Sequence, residues 1–483
     1  MTNGRKHPYL VTLLFALLAT ALFTAACGAS NSTSSTTPAT ASPSTSIGPS
    51  STQPPATPSS TDAPVTLPGT PAGVQARWLV DATAHLPIPD ADIRAHFDAT
   101  FLAQVTPALL NQGLQGASNV SVMSIKTNEP DALVMIVSTA GTEVQVALSV
   151  DDKGLISGLR ISPATPAPTY APYQTPSYIN PDAFTEQSVT VGEGTQWALP
   201  GTLTLPKGDG PFPVVVLVQG SGPTDRDETI GPNKPFRDLA WGLASQGIAV
   251  LRYDKRTFVY PTKIDPSTLT VNEETTDDAL AAVKLLRGLP GIDGKRIYVL
   301  GHSLGAMVAP RIGQQDPGIA GLVMMAGPTR PLEDVILDQV TYLDSLNGGP
   351  TAAQTAQLKQ LKAAVAKVKD PNLSPSTPAS ELPLNIAAPY WLDLRGYKPA
   401  DVAAGLAMRL LVLQGARDYQ VTTADFAGWQ AALSSHPNAK LVLYPDLNHE
   451  FVTGTGKATP AEYEQPAHVA EKAITDIANW VKG

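Results

Sequence analysis

The rhythm of apolar and polar residues changes several times along the chain. A mainly apolar run, 9–23, follows Arg5, Lys6 and His7. Residues 28–73 are Ser, Thr, Pro and Ala with almost no large apolar side chain. In 74–161, Ile93, Phe97, Phe101 and Val105 recur at helical spacing, and then 119–126, 132–138 and 142–150 take on β-rich character. Gly141 and 151–154 supply the turns between those strands. Prolines dominate 162–181. Beyond Phe184, near-continuous apolar segments at 212–219, 247–253, 296–300, 319–326, 409–413 and 440–444 alternate with helix-like stretches at 236–245 and 273–287. Continuous apolar strands are what a parallel sheet covered on both faces needs, and strand–helix alternation predicts a doubly wound α/β sheet. Between 331 and 405 the alternation stops, with a helical run over 351–368 and Pro-rich connections. An insertion there, between two strands, would lie at the C-terminal edge of the sheet as a lid.

These changes divide the 483 residues into a signal segment (1–27), an unstructured tether (28–73), a small α+β domain (74–161), a stiff linker (162–181) and an α/β domain (182–483) carrying the 331–405 insertion. The net charge of -9 is spread along the chain, which excludes the clustered Lys and Arg that phosphate binding requires. Nucleic acid is therefore not an expected partner. The charged start and short apolar run have the form of a signal peptide, too short for a comfortable membrane span. The single cysteine, Cys27, comes just after it, behind Ala25 and Ala26. That arrangement resembles the lipobox of bacterial lipoproteins, with Thr24 in place of the usual aliphatic residue. The resemblance implies an exported protein held at a membrane by lipid on Cys27; ordinary signal-peptidase cleavage nearby, which leaves a secreted protein, is the alternative. A lone cysteine also excludes an internal disulfide, so the domains must be held by packing.

The chemistry centres on Gly301-His302-Ser303-Leu304-Gly305. The apolar strand 296–300 runs directly into Gly301, and a helix can follow from Ala306. A strand-to-helix turn this tight lifts the Ser303 hydroxyl clear of the sheet and needs glycines at 301 and 305, where side chains have no room. It also aims the N–H of Leu304 at a developing oxyanion. A serine nucleophile needs a base, and the base an orienting carboxylate. Of His436, His449 and His468, only His449 lies in the loop directly after the last strand, His468 falling in the terminal helix region, and Asp418 follows the strand before it; Asp425, Asp446 and Glu450 are weaker choices for the acid. The Gly-rich loop after 212–219 offers the N–H of Ser221 as a second oxyanion donor. His302 is expected to pack beneath the serine, and Arg252-Tyr253-Asp254-Lys255-Arg256 to form an ion-pair network that holds its loop, with a contact to a polar substrate group as the alternative. His85 and His96 lack a partner at metal spacing, and no metal or phosphate-loop motif is present, so no cofactor is expected.

Taken together, Val218-Gln219-Gly220-Ser221-Gly222-Pro223, the 252–256 cluster, the Ser303 pentapeptide, 414–421 and Asn448-His449 resemble bacterial serine esterases of the α/β-hydrolase superfamily. The resemblance is to the carboxylesterase group with an N-terminal extension domain, and more distantly to dienelactone hydrolases and prolyl-oligopeptidase-type peptidases. It covers 185–483, with Thr257 standing where many relatives have Gly. It implies a Ser303–His449–Asp418 triad acting on a small-molecule ester. A peptidase or acyltransferase of the same fold, and a non-catalytic surface-binding protein, are the alternatives.

Overall fold

The computed structural model describes residues 65–114, 117, 120–139, 142–164, 170–261 and 263–483. The signal segment, Cys27 and most of the tether lie outside the described residues. Those described fall into two compact units, 65–164 and 170–483. Among them no helix is long and apolar enough to cross a membrane.

The first unit starts earlier than the apolar pattern suggested. Thr70 accepts the N–H of Gly73 and Pro71 occupies the first turn, so a helix runs over Pro71–Ala82. The periodic stretch from Ile93 to Val105 is not one helix. Asp90–His96 stops at Phe97, whose extended backbone bridges Ile156, and Asp98 then caps a second helix, Ala99–Gln104. The local cap outcompetes the longer period. Four antiparallel strands follow in the order β1 (Ser121–Asn128), β2 (Ala132–Thr139), β3 (Thr142–Val150) and β4 (Ile156–Pro163). Leu133, Met135, Leu148 and Ile156 meet Ala76, Leu79, Ile93 and Phe97 in its core. His96 stacks on Trp78 at 3.8 Å and bonds Oε1 of Gln75, a packed role rather than a ligand one.

The second unit is an eight-stranded sheet with strand order β12-β11-β10-β9-β7-β8-β6-β5. Two strands that the apolar runs did not announce open it, β5 (Phe184–Val191) and β6 (Leu199–Pro206), paired antiparallel at one edge. β5 exposes Thr185, Glu186, Gln187 and Ser188, and β6 mixes Gly201, Thr202 and Thr204 among its leucines, so neither reads as a buried apolar run. The parallel body comprises β7 (Phe212–Val218), β8 (Ala249–Tyr253), β9 (Ile292–His302), β10 (Gly321–Met325), β11 (Arg409–Gly415) and β12 (Ala439–Tyr444). The sheet separates two cores. Val214, Val216 and Val218 face the helices Asp277–Leu286 and Leu304–Gln315, while Val215 and Leu217 face Pro235–Ala244 and Glu471–Lys482. The period of two survives inside an unbroken apolar run because both faces are covered.

From β7 the chain moves to β8 on one side and returns to β9 on the other, so the switch point lies between β7 and β9. In open α/β sheets the crevice beyond the carboxyl ends of such strands is where ligands bind.

Two expected connections have more structure than their composition suggested. The Pro-rich stretch docks on the sheet domain from Tyr170 onward. Tyr173 donates to Asp238, Tyr178 donates to the carbonyl of Val469, and Ile179 is buried. In the insertion, helices span Leu332–Ser345, Ala352–Lys369, Ala388–Leu394 and Pro399–Ala404. Its later part is core as much as cover. Tyr390, Trp391 and Ala403 are fully enclosed, Arg311 pairs with Asp393 at 3.0 Å, and Tyr397 donates to the carbonyl of Met307 in the helix after Ser303.

Candidate active site

The turn between β9 and the helix Leu304–Gln315 forces Ser303 to φ 54°, ψ -116°, a conformation few non-glycine residues adopt. Its N–H bonds the carbonyl of Met325 on the neighbouring strand, which fixes the turn. The glycine requirement is steric. A Cβ on Gly301 would overlap the backbone of Gly305 and lie 2.5 Å from the nitrogen of Ala306. One on Gly305 would collide with the carbonyl of Val218 and lie 2.8 Å from that of Gln219. The helix runs through Pro310 for 12 residues, and its first N–H groups, Leu304 included, have no partner within it.

Asp418 follows β11 and His449 follows β12, so both reach the same edge as Ser303. His449 Nδ1 lies 2.8 Å from Asp418 Oδ2, and both side chains are buried. The Asp418 carboxylate has a full set of donors. Oδ1 accepts the N–H groups of Gln420 (2.8 Å) and Val421 (2.9 Å), and Oδ2 accepts Nε2 of Gln414 (3.1 Å) besides the imidazole. Asn448 builds the turn that presents the histidine. Its Oδ1 accepts the N–H groups of Glu450 and Val452, and its Nδ2 donates to Glu462. Arg417 pairs with that same Glu462 rather than with its neighbour Asp418.

The competing residues have other partners. Asp425 accepts the N–H groups of Thr329 and Arg330 and pairs with the Arg330 guanidinium. Asp446 pairs with Lys472. His468 faces Asp238 at 3.2 Å, and His436 Nε2 lies 2.7 Å from the carbonyl of Leu406.

Beyond β7, carboxylates hold the glycines on either side of Ser221. Gly220 donates its N–H to Glu228 Oε1 (2.6 Å), and Gly222 donates to Glu274 Oε1 (3.1 Å). Ser221 lies between two occupied amides, and among the described residues its own N–H has no protein acceptor. Lys255 pairs with Glu274 at 2.6 Å and donates to the carbonyl of Gly220, also at 2.6 Å. Tyr390 donates to the other oxygen of Glu274, which stands in a π-helical turn, Asn272–Thr276. The rest of the charged cluster is also paired, Arg252 with Asp227 and Glu186, Asp254 with Arg226, and Arg256 with Asp278.

His302 lies beneath the serine turn, as expected, but in a charged setting that the sequence did not announce. Its Nδ1 is 3.0 Å from Glu228 Oε2, its Nε2 is 3.0 Å from the carbonyl of His449, and the two imidazole rings are 4.7 Å apart. Burial alone would lower its pKa, but the Glu228 carboxylate, with help from Glu450 and the His449 carbonyl, pushes it up to about 10. Glu450 is buried beside both histidines, and burial raises its carboxyl above the ordinary value, opposed by the charge of His302. Ligand-type atoms of His302, His449 and Glu450 lie within 4.8 Å of one another. Three of the four imidazole nitrogens are already committed to Glu228, the His449 carbonyl and Asp418. That leaves fewer free donors than the three or four protein ligands of a zinc centre.

Residues 215–463 match the family model described as Alpha/beta hydrolase family, and residues 67–156 match the model described as ORF 12 gene product N-terminal. The chain is 44% identical to Esterase EstD of Thermotoga maritima over 339 residues, 70% of this chain and 76% of the relative. It is 29% identical to Esterase FrsA of Klebsiella pneumoniae over 148 residues, 31% of this chain and 32% of the relative. A solved structure of the Pyrococcus furiosus esterase Pf2001 aligns with a TM-score of 0.40 at 18% identity, covering 64% of this chain and 95% of that one.

Proposed function

The chain belongs to the alpha/beta hydrolase family and is an enzyme of the carboxylesterase type, and from that premise we propose that it cleaves carboxylic esters through Ser303, His449 and Asp418 by way of an acyl-enzyme. The observation that carries the reading is the buried 2.8 Å contact of His449 Nδ1 with Asp418, at the sheet edge where the turn presents Ser303. With Asp418 accepting from Nδ1, Nε2 is left without a proton and can accept one. His449 takes the proton of Ser303 as Oγ attacks the ester carbonyl. The N–H groups of Leu304 and Ser221 hold the oxyanion, at no reorganisation cost because the turn and the clamped loop fix them beforehand. His449 then gives its proton to the leaving alkoxide. Water, activated by the same imidazole, attacks the acyl-enzyme and frees the acid and Ser303. Asp418 steadies the imidazolium in both halves.

The test compares the hydrolysis of p-nitrophenyl acyl esters by the wild type and by Ser303→Ala, together with labelling by a fluorophosphonate probe. Loss of both turnover and label in the variant is expected. Equal turnover in the two proteins would overturn the assignment.

We also propose that the enzyme is exported and held at a membrane by lipid on Cys27. The support is the charged start, the apolar run and the small residues before a lone cysteine. Palmitate should label the wild type in cells and not Cys27→Ala; equal labelling of both would refute the anchor.

A further inference from the structure

We propose that Glu228 and His302 are positioning residues, a buried pair that locks the oxyanion loop to the loop of the catalytic base behind Ser303. The inference rests on the triad reading above and adds two residues to it.

The pair connects three segments. Glu228 Oε1 holds the N–H of Gly220, next to the proposed donor Ser221. Glu228 Oε2 is 3.0 Å from His302 Nδ1, and His302 immediately precedes the nucleophile. His302 Nε2 donates to the main-chain carbonyl of His449, 147 residues further on. One chain of contacts therefore runs from the oxyanion loop, through the turn, to the base. It is close to the serine, since a Cβ on Gly220 would lie 3.2 Å from both Glu228 Oε1 and Ser303 Cβ. Glu228 adopts a left-handed backbone, φ 51°, that a side chain of this size rarely takes. Strain of this kind persists where surrounding contacts over-determine it, and it clusters at working sites.

A purely structural account does not explain this choice of residues. A buried ion pair stabilises a fold no better than well-packed apolar residues of the same volume. What it adds is a fixed geometry between the groups it joins. Here those groups are the donor that must meet the oxyanion and the imidazole that must meet Oγ. His302 holds Glu228 through an ion-pair contact at Nδ1 while its Nε2 donates to the His449 carbonyl, so one ring serves both segments at once. The other ionisable groups facing His302 are Glu450, whose charge acts on it, and His449, with Asp418 beyond.

Substitution at Glu228 tests the pair. Glu228→Ala removes both contacts, and kcat for a p-nitrophenyl ester should fall about 100-fold, the scale of a lost oxyanion donor, with KM within about threefold. The Ki of a trifluoromethyl ketone, which forms the tetrahedral adduct, should rise by the same factor, while binding of the product acid stays unchanged. Glu228→Gln keeps an oxygen for Gly220 and offers an N–H to a neutral His302, so it should restore most of the rate. Glu228→Asp is one methylene too short to reach both partners and should lose at least about tenfold. The double variant Glu228→Ala, His302→Ala should be no slower than the slower single variant, because residues acting as one unit are not additive.

All rates are expressed per fluorophosphonate-reactive serine, and Glu228→Asp stands in if Glu228→Ala does not fold. The proposal is overturned if Glu228→Ala or Glu228→Asp keeps kcat within threefold of the wild type, or if the losses of the two single variants multiply. Failure of the triad reading would look different, as an active Ser303→Ala or a wild type that takes no label.

Discussion

Replacing Asp418 by Asn makes the sharpest test of the base. The new side chain has two orientations, and its surroundings choose between them. Oδ1 accepts two main-chain N–H groups, those of Gln420 and Val421. Putting an amide NH2 there would leave both without an acceptor in a buried site, at about 1–3 kcal/mol each. The carbonyl of the introduced amide therefore keeps that place, and its NH2 group falls where Oδ2 was. There it meets Nε2 of Gln414, which cannot readily turn away because it also donates to the carbonyls of Gly415 and Val421. It also meets Nδ1 of His449 and must donate to it. The imidazole then carries its proton on Nε2, the nitrogen that should receive the proton of Ser303. A base locked in the wrong tautomer costs about 10⁴-fold in kcat in a triad of this kind, or about 5.5 kcal/mol of barrier at 1.36 kcal/mol per factor of ten. KM should move no more than a few-fold, since Asp418 is buried behind the imidazole. Steady-state hydrolysis of p-nitrophenyl butyrate, with circular dichroism to show the fold intact, measures both. A folded Asp418→Asn enzyme with kcat within tenfold of the wild type would refute the role given to Asp418.

Three further outcomes follow from the same geometry. Gly305→Ala should lose at least about 3 kcal/mol in urea denaturation, because its Cβ meets the carbonyls of Val218 and Gln219, main-chain atoms that cannot rotate away. Trp391→Ala should cost about 3–5 kcal/mol in the same assay if this part of the insertion belongs to the core; a loss near zero would mark it as a swinging cover. His302, raised from its ordinary 6.5 to about 10, holds its proton in the folded state where the unfolded chain has released it. Its contribution to stability is therefore fully present below about pH 6.5 and disappears as pH rises through 10. The melting temperature should fall from pH 7 to pH 10, and the fall should be smaller in His302→Gln.

The residues that sequence reasoning reached are those whose place follows from local covalent rules. Ser303 was legible because a strand, two glycines and a helix fix its turn within a dozen residues. Asp418 and His449 were legible because each follows a buried apolar strand, and parallel strands deliver their C-terminal loops to one edge. The loop around Ser221 follows from the same rule. β5 and β6 were not legible, since the outer strand exposes polar side chains and Gly and Thr positions interrupt the apolar signal of the inner one. Nor was the depth of Trp391, which lies in a Pro-rich stretch that composition assigns to a loop.

The buried charges mark a different boundary. Glu228 lies in a run of charged and polar residues, 224–229, that composition places in solvent, and Glu274 and Glu450 look equally like surface residues. All three are enclosed in the fold. A carboxylate becomes tolerable inside a protein only when its partners arrive with it, and here the deciding partners come from other segments, His302 for Glu228, and Lys255, Tyr390 and Gly222 for Glu274, with only Gly220 supplied by Glu228's own loop. No window of sequence contains such a set. What could have been noticed is the surplus. The chemistry proposed here needs one acid, one base and one nucleophile, and the loops at this edge carry several more ionisable groups than that. A charged side chain next to a nucleophile turn is either exposed and free to vary or buried and held. The Glu228–His302 pair is of the second kind, and for that reason its loss should register in kcat before it registers in substrate binding.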